Sequence, residues 1–94
     1  MNTYRVQWTT EAREALETLP AERVALIERA VRVLARDPFV KAATAAIGPD
    51  ENQRKAYVAP GILLEYLVGT QFMVVVVISV FDEAAYLIDE SDAR

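Results

Sequence analysis

The chain has 94 residues, of which 53% are hydrophobic, and contains neither cysteine nor histidine. This length and composition predict one small globular domain whose core forms without disulfides, and the lack of cysteine fits a reducing compartment. The missing residues exclude a Ser-His-Asp triad and a zinc site of imidazole and thiolate ligands. Gly48, Gly61 and Gly69 are too far apart for a P-loop or a dinucleotide-binding motif, so we expect no cofactor.

The net charge of −4 lies entirely in the C-terminal part of the chain. Residues 82–94 carry five acids and one arginine, whereas acids and bases balance in residues 1–81. We therefore interpret residues 1–94 as one domain with an acidic tail at 89–94, preceded by a short strand or turn at 82–88. The longest apolar run is about half of the ~20 residues that a membrane helix needs, and no targeting segment is recognisable, so we expect a cytoplasmic protein.

The chain opens with a predicted strand and a predicted helix. Aromatic and branched side chains alternate with polar ones over residues 4–8, which is typical of a half-buried strand. The hydroxyl of Thr9 or Thr10 follows and can cap the first turn of a helix. Apolar residues at helical spacing continue this helix to about Leu19.

A second helix is predicted from Pro20 to the residue before Asp37, and its apolar stripe comprises Val24, Ile27, Val31 and Leu34. Together the two helices form a hairpin. Three arginines lie roughly opposite this stripe, namely Arg29, Arg32 and Arg36. They form either a solvated polar face, partly paired through Glu28 and Arg32, or a ridge that contacts phosphate.

The second half of the chain predicts a meander of three strands. Residues 39–52 lack periodicity and contain Gly48-Pro49-Asp50, which indicates a loop with at most a short helical turn. Strand-like runs follow at residues 53–58, 62–68 and 72–80, separated by short turn signals. The last run is apolar on both faces, which indicates a central strand that is covered on both sides or awaits a partner on one. The predicted fold is α+β in the order β-α-α-β-β-β, with the helix hairpin packed on one face of a small, mainly antiparallel sheet.

Four short motifs resemble, in the same order, those of the RelE/ParE toxin superfamily of bacterial type II toxin–antitoxin modules. Residues 4–12, YRVQWTTEA, resemble a strand with a (T/P)-E-A helix start, and residues 34–38, LARDP, resemble an L-A-x-(D/N)-P helix exit. Residues 61–66, GILLEY, resemble a G-x-R-x-x-Y strand. Residues 77–80, VISV, with Tyr86 resemble a closing V-x-x-V…Y motif. The resemblance covers nearly the whole chain and implies the fold described above.

The resemblance also implies a growth-inhibiting toxin that a cognate antitoxin neutralises. In the RelE branch, basic side chains and a tyrosine assist the 2′-hydroxyl in cutting messenger RNA in the ribosome, so histidine is not required. We expect this mRNA interferase-like inhibition of translation. The alternatives are a ParE-like inhibitor of DNA gyrase and a homologue without catalytic activity that acts as a homodimeric or protein-interaction module.

Two basic positions of the ribonuclease branch are replaced in this chain. Leu63 occupies the arginine position of G-x-R-x-x-Y, and Phe81-Asp82-Glu83 stands where that branch has a turn rich in lysine and arginine. An acid beside a phosphorane-like transition state opposes the developing negative charge. The resemblance therefore leaves open whether the chain is an enzyme.

The candidate catalytic residues are Arg54, Lys55 and Tyr86. We expect Arg54 to be an exposed strand side chain that contacts phosphate, whereas ordinary edge charges and packing remain the alternatives for the three residues. Tyr66 is interpreted as a core residue whose hydroxyl reaches the surface, and Tyr57 is left unassigned.

Leu63 and Leu67 are the candidate partner-binding residues of the sheet. They lie on one face of their strand, and the other face suffices for the helix-packed core through Ile62, Leu64, Tyr66 and Val68. The apolar face then needs a cover, which an antitoxin segment or a second copy can provide. On the second helix, the candidate partner-binding residues, for a protein target such as gyrase, are Arg29, Arg32 and Arg36.

Overall fold

A computed structural model of the chain describes residues 3–59 and 61–82, and within these residues two helices pack on a five-stranded sheet. The elements are β1 (Arg5–Trp8), α1 (Thr10–Glu17), α2 (Ala21–Arg36), β2 (Thr44–Ile47), β3 (Asp50–Ala59), β4 (Ile62–Gly69) and β5 (Val74–Asp82). The strand order is β1-β5-β4-β3-β2, and β1 runs parallel to β5 while the other neighbours are antiparallel. The predicted α+β fold is confirmed. Tyr86, the predicted strand or turn after residue 82 and the acidic tail lie outside the described residues.

The core lies between the helix hairpin and one face of the sheet. The predicted stripe of α2 supplies Ile27, Val31 and Leu34, each at most 4% exposed, and α1 supplies Ala12. From the sheet come Ile62, Leu64, Tyr66, Val68, Val75 and Val77. Complete burial of one such side chain contributes roughly 1.5–3 kcal/mol, so this single layer is the main source of stability. No helix in the described part of the chain is long and apolar enough to cross a membrane.

Thr9 ties the start of α1 to the central strand. Its hydroxyl oxygen accepts a hydrogen bond from the Ala12 N–H at 3.1 Å and donates one to the Ile78 carbonyl at 2.9 Å. The predicted helix cap is therefore confirmed, with Thr9 as the capping residue. Because β5 lies between β1 and β4, its predicted central position is confirmed as well.

A β-bulge at Ile78 changes which residues of β5 face the helices. Glu65 pairs with Ser79 and Tyr66 pairs with Val77, so Ile78 is the extra residue. As a result Val77 and Val80, three positions apart, both pack on the helix side of the sheet. A simple alternation of faces does not hold along this strand.

The structure contains a strand, β2, where the sequence predicts a loop. Thr44–Ile47 pairs with β3, and a tight turn at Gly48-Pro49 joins the two strands, with Gly48 at φ +69°. Alanine occupies the middle of β2 and favours helices over strands, so residue preference gave no signal here. Interactions with β3 fix this strand instead.

Arg54 holds the β2–β3 hairpin together from the helix side of the sheet. It is 4% exposed, and its Nε and Nη2 donate to Thr44 Oγ1 at 3.2 and 3.0 Å. Its Nη1 donates to the Glu51 carbonyl at 3.0 Å and lies 3.6 Å from the Glu51 carboxylate, and the guanidinium lies 5.3 Å from the Phe39 ring centre. The expectation of an exposed Arg54 is wrong, because Arg54 pairs with Tyr66 in the register and shares its buried face.

Tyr66 anchors the chain where it leaves α2. The side chain is fully buried, and its hydroxyl donates to the Pro38 carbonyl at 2.7 Å. Its core position is confirmed, but the hydroxyl does not reach the surface as expected. Burial raises the pKa of the Tyr66 phenol above its ordinary value, although Thr44 and Arg54 act in the opposite direction.

Replacing Tyr66 by Phe removes the donor to the buried Pro38 carbonyl, so we expect the free energy of unfolding to fall by about 1–3 kcal/mol. Because the phenol pKa is higher in the folded state, the Tyr66 contribution is present below the unfolded pKa near 10.0 and is lost as the pH rises through the folded pKa. Urea unfolding should therefore show a smaller difference between the two proteins above that pH than at neutral pH.

The control is Tyr57→Phe at a side chain that is 62% exposed, which should change the free energy by less than about 0.5 kcal/mol. Equal losses for Tyr66→Phe and Tyr57→Phe would contradict the role of the buried hydroxyl.

Replacing Arg54 by Lys keeps one positive charge but cannot reproduce the fork of contacts to Thr44 and Glu51. We expect this change to cost about 1.5–3 kcal/mol of unfolding free energy and to speed hydrogen exchange at the β2 amides. The neighbouring Lys55→Ala is the matched control, because Lys55 is exposed, and should change stability by less than about 0.5 kcal/mol. If the two changes have the same small effect, the hairpin does not depend on Arg54.

Candidate functional site

The sheet face opposite the helices, here called the open face, is the candidate site. Both described helices pack on the other face, so the alternation of side chains leaves the intervening residues of the three middle strands on the open face. They include Gln53, Lys55, Tyr57, Leu63, Glu65, Leu67, Val76, Ser79 and Phe81.

A polar row crosses the middle of the open face. In the register of the sheet, Lys55 of β3 lies opposite Glu65 of β4, which lies opposite Ser79 of β5. The Ser79 hydroxyl donates to Glu65 Oε1 at 2.9 Å, and both residues are half-buried while Lys55 is exposed. A carboxylate held by a hydroxyl can accept a proton, and an ammonium beside it can stabilise an anion. Within residues 3–59 and 61–82, no three acidic side chains are grouped so that they can hold a metal ion.

An aromatic row runs beside the polar one. Tyr57 of β3, Leu63 of β4 and Phe81 of β5 are successive partners in the register. Tyr57 is 62% exposed and Phe81 is 42% exposed, so both rings offer surface to a binding partner. Exposed rings on a sheet can stack on unpaired bases or pack against an apolar segment of a protein.

The structure brings together only some of the residues predicted from the sequence. Lys55, Leu63 and Leu67 share the open face, and the predicted division of β4 into a core face and a free face is confirmed. Arg54 belongs to the opposite face, so the pair Arg54 and Lys55 does not form one cationic site. The three exposed arginines of α2 lie on the helix side of the sheet, away from the open face.

The two replaced basic positions, Leu63 and Asp82, lie on opposite faces of the sheet. The partner of Asp82 in the register is the buried Ile62, and the Asp82 carboxylate lies 3.3 Å from Arg23 of α2. The open-face neighbour of Leu63 is Phe81 instead. The acid that the sequence places near the site therefore faces the helices, where Arg23 balances its charge.

Sequence reasoning missed Glu65 and Ser79. Glu65 is the only charged residue of the run 62–68, and Ser79 is the only polar residue of the run 72–80, so each interruption was a usable signal. The alignment of Ser79 with Glu65 was not predictable, because it depends on the bulge at Ile78.

No protein-family model matches the chain, and no curated protein matches it. Solved structures do match. A chain of the toxin–antitoxin complex RelBE2 from Mycobacterium tuberculosis is 26% identical, with a TM-score of 0.70 over 85% of this chain and 98% of that one. The isolated RelE toxin of E. coli is 18% identical, with a TM-score of 0.73 over 97% and 99% of the two chains.

The YoeB/ParE toxin from Agrobacterium tumefaciens is 18% identical, with a TM-score of 0.69 over 83% of this chain and 96% of that one. In all three comparisons the aligned part includes nearly the whole of the neighbour. The resemblance indicated by the sequence motifs is confirmed at the level of structure: this chain has the fold of the RelE/ParE toxin superfamily.

Proposed function

We propose that the chain is the growth-inhibiting toxin of a type II toxin–antitoxin pair. The observation that carries the proposal is the match to RelBE2, a toxin–antitoxin complex, at 26% identity over 98% of the neighbouring chain. The order of the four sequence motifs supports the same assignment. The isolated E. coli RelE toxin adds a neighbour that aligns over almost the full length of both chains.

The proposed partner is a cognate antitoxin protein. The structural neighbours include toxins in complex with antitoxins, among them the intact RelBE complex of E. coli. The exposed apolar side chains of the open face support such a partner, since Leu67 is 39% and Phe81 is 42% exposed.

The proposed activity is cleavage of messenger RNA on the open face. The Glu65 carboxylate takes the proton of a ribose 2′-hydroxyl, and the oxygen attacks the adjacent phosphorus. The bond to the 5′-oxygen breaks, which leaves a 2′,3′-cyclic phosphate and a 5′-hydroxyl that receives its proton from solvent. Lys55 stabilises the charge that develops on the phosphate oxygens, and Ser79 fixes the orientation of Glu65.

The two exposed rings supply the means to hold the RNA. Tyr57 and Phe81 flank the polar row on the same face of the sheet, so a single strand that lays its phosphate near Lys55 can stack bases on them. Stacking of this kind tolerates different base sequences, because every base has a π face. The proposed site therefore cuts with little sequence preference of its own.

A protein target such as gyrase is the second candidate, and one observation favours it. Arg29, Arg32 and Arg36 are all exposed on α2, away from the open face. Such a cationic helix surface can dock on an acidic protein without any catalytic step.

Induced expression in a bacterial host tests the proposal. The wild-type chain should stop growth, and Glu65→Gln should reduce cleavage of messenger RNA by about 100-fold or more, because the base is lost. Lys55→Ala should have a similar effect, since removal of one group that stabilises the transition state costs about 2.7–4 kcal/mol. Growth curves and mapping of RNA 5′ ends in the induced cells measure both effects.

Lys41→Ala is the matched control, because Lys41 is the other lysine of the chain and is exposed in the turn after α2. It should leave growth inhibition unchanged. If Lys55→Ala and Glu65→Gln remain toxic while the triple change of Arg29, Arg32 and Arg36 to Ala does not, the activity belongs to α2 and the protein target is correct. A wild-type chain that does not inhibit growth would contradict the toxin assignment itself.

A further inference from the structure

The open face extends beyond the polar row to the end of the sheet where β1 begins. Because the residue between them packs on the core, Arg5 and Gln7 of β1 lie on the open face. In the register Arg5 lies beside Val74 of β5, which lies beside Gly69 of β4. Arg5 is exposed, and no carboxylate in the described part of the chain forms an ion pair with it. This end of the open face therefore carries a cation of its own, in addition to Lys55.

Alternate residues of β4 show how this end is aligned with the two rows already described. Leu63 lies in the aromatic row, Glu65 in the polar row, and Gly69 beside the Arg5 end, with Leu67 between the last two. Neighbouring positions in this series are about 7 Å apart, since each residue of a strand adds about 3.3 Å. A strand of RNA that runs along β4 from the aromatic row therefore crosses the polar row before it reaches Arg5.

A row with two amide side chains lies between the polar row and Arg5. Gln7, Val76, Leu67 and Gln53 are successive partners in the register, and we call them the amide row. Both glutamines are exposed. Their N–H groups can donate to phosphate and sugar oxygens, and the row carries no acid that would repel phosphate. An RNA strand can therefore pass over the amide row towards Arg5.

The corner of the sheet beside Arg5 has a low surface. Gly69 carries no side chain, and a Cβ added there would lie 2.8 Å from Val74 Cγ1. That distance is too short for a real contact, so the position of Val74 requires glycine at residue 69. No β4 side chain therefore stands between the amide row and this corner.

An exposed aromatic ring lies in the turn that precedes this corner. Phe72, between β4 and β5, is 69% exposed. Its N–H donates to the Gly69 carbonyl at 3.3 Å, and the Arg5 N–H donates to the Met73 carbonyl at 2.8 Å. Met73 has a φ of +54°, which side chains other than glycine rarely adopt and which surrounding contacts must maintain. The turn thus holds Phe72 close to Arg5.

We propose that Arg5 and Phe72 form a second nucleotide-binding subsite for the RNA strand that, on the proposed function, is cut at the polar row. Arg5 binds a phosphate of that strand, and Phe72 stacks on a neighbouring base. Both are positioning residues, because they add affinity and align the RNA without taking part in proton transfer.

The register also gives the distance between the two subsites. Arg5 lies three strands and four residues from Lys55, which corresponds to about 20 Å between their Cα atoms. A stacked strand advances about 3.4 Å per nucleotide, so the subsite lies at most about six nucleotides from the cleaved bond.

Fluorescence anisotropy with a labelled single-stranded RNA of about 12 nucleotides tests the subsite on the full-length chain. Every 2′-hydroxyl of this RNA is methylated, so the proposed cleavage cannot occur. Arg5→Gln should weaken binding at least about fivefold at low salt, because one phosphate contact is lost. It should also reduce the slope of log affinity against log salt concentration by about 0.7. The matched control is Arg13→Gln, which removes an exposed arginine of α1 on the helix side and should change neither quantity.

Two substitutions of Phe72 test the stacking. Phe72→Leu keeps an apolar side chain without a ring and should weaken binding at least about fivefold. Phe72→Trp keeps a stacking ring and should bind as tightly as the wild type. Circular dichroism should show all variants folded, because the replaced side chains are exposed. An unchanged salt slope for Arg5→Gln, an equal loss for Arg13→Gln, or full affinity of Phe72→Leu would overturn the proposal.

Lys55→Gln in the same assay separates this subsite from the proposed catalytic row. Combined with Arg5→Gln it should lower the salt slope by about 1.4, because two phosphate contacts are lost. If Arg5→Gln and Phe72→Leu weaken binding while Lys55→Gln does not, the subsite stands and cleavage at the polar row fails. If only Lys55→Gln weakens binding, the subsite alone is overturned. A wild-type chain that does not bind the RNA would overturn both.

Discussion

The packing of both helices on one face of a single sheet is the constraint on which the rest of the structure depends. A chain of 94 residues is stabilised mainly by one layer of buried apolar side chains. Alternate residues of β4 supply the centre of that layer. The residues of β4 that alternate with these core residues therefore lie on the open face. Lys55, Glu65 and Ser79 form a row on the open face because the opposite face already carries the apolar contacts.

The same constraint separates two neighbouring cations. Arg54 and Lys55 follow each other in β3 and therefore point to opposite faces, one into the helix side and one into solvent. Arg54 binds Thr44 and the Glu51 carbonyl and stabilises the β2–β3 hairpin, while Tyr66 beside it holds the Pro38 carbonyl at the end of α2. Arg54 thus contributes to the fold, whereas Lys55 remains available on the open face.

Much of the fold follows from the sequence alone. Thr9 as a helix cap, the stripe of α2 and the two faces of β4 were predictable, because each follows from local periodicity or a local hydrogen bond. The strand Thr44–Ile47 was not predictable, because alanine does not favour strands and this segment becomes a strand by pairing with β3. The faces of Asp82 and Ser79 depend on one extra residue at Ile78, and the burial of Arg54 depends on register with Tyr66, which no short motif reveals.

On the proposed function, the open face, rather than the surface of α2, contacts the RNA. Photo-cross-linking of ribosome-bound messenger RNA that carries 4-thiouridine, followed by mass spectrometry of the cross-linked peptides, tests it most directly. We expect cross-links at Tyr57 and Phe81, whose exposed rings lie beside the polar row. Cross-links confined to α2, with none in β3 or β5, would contradict it.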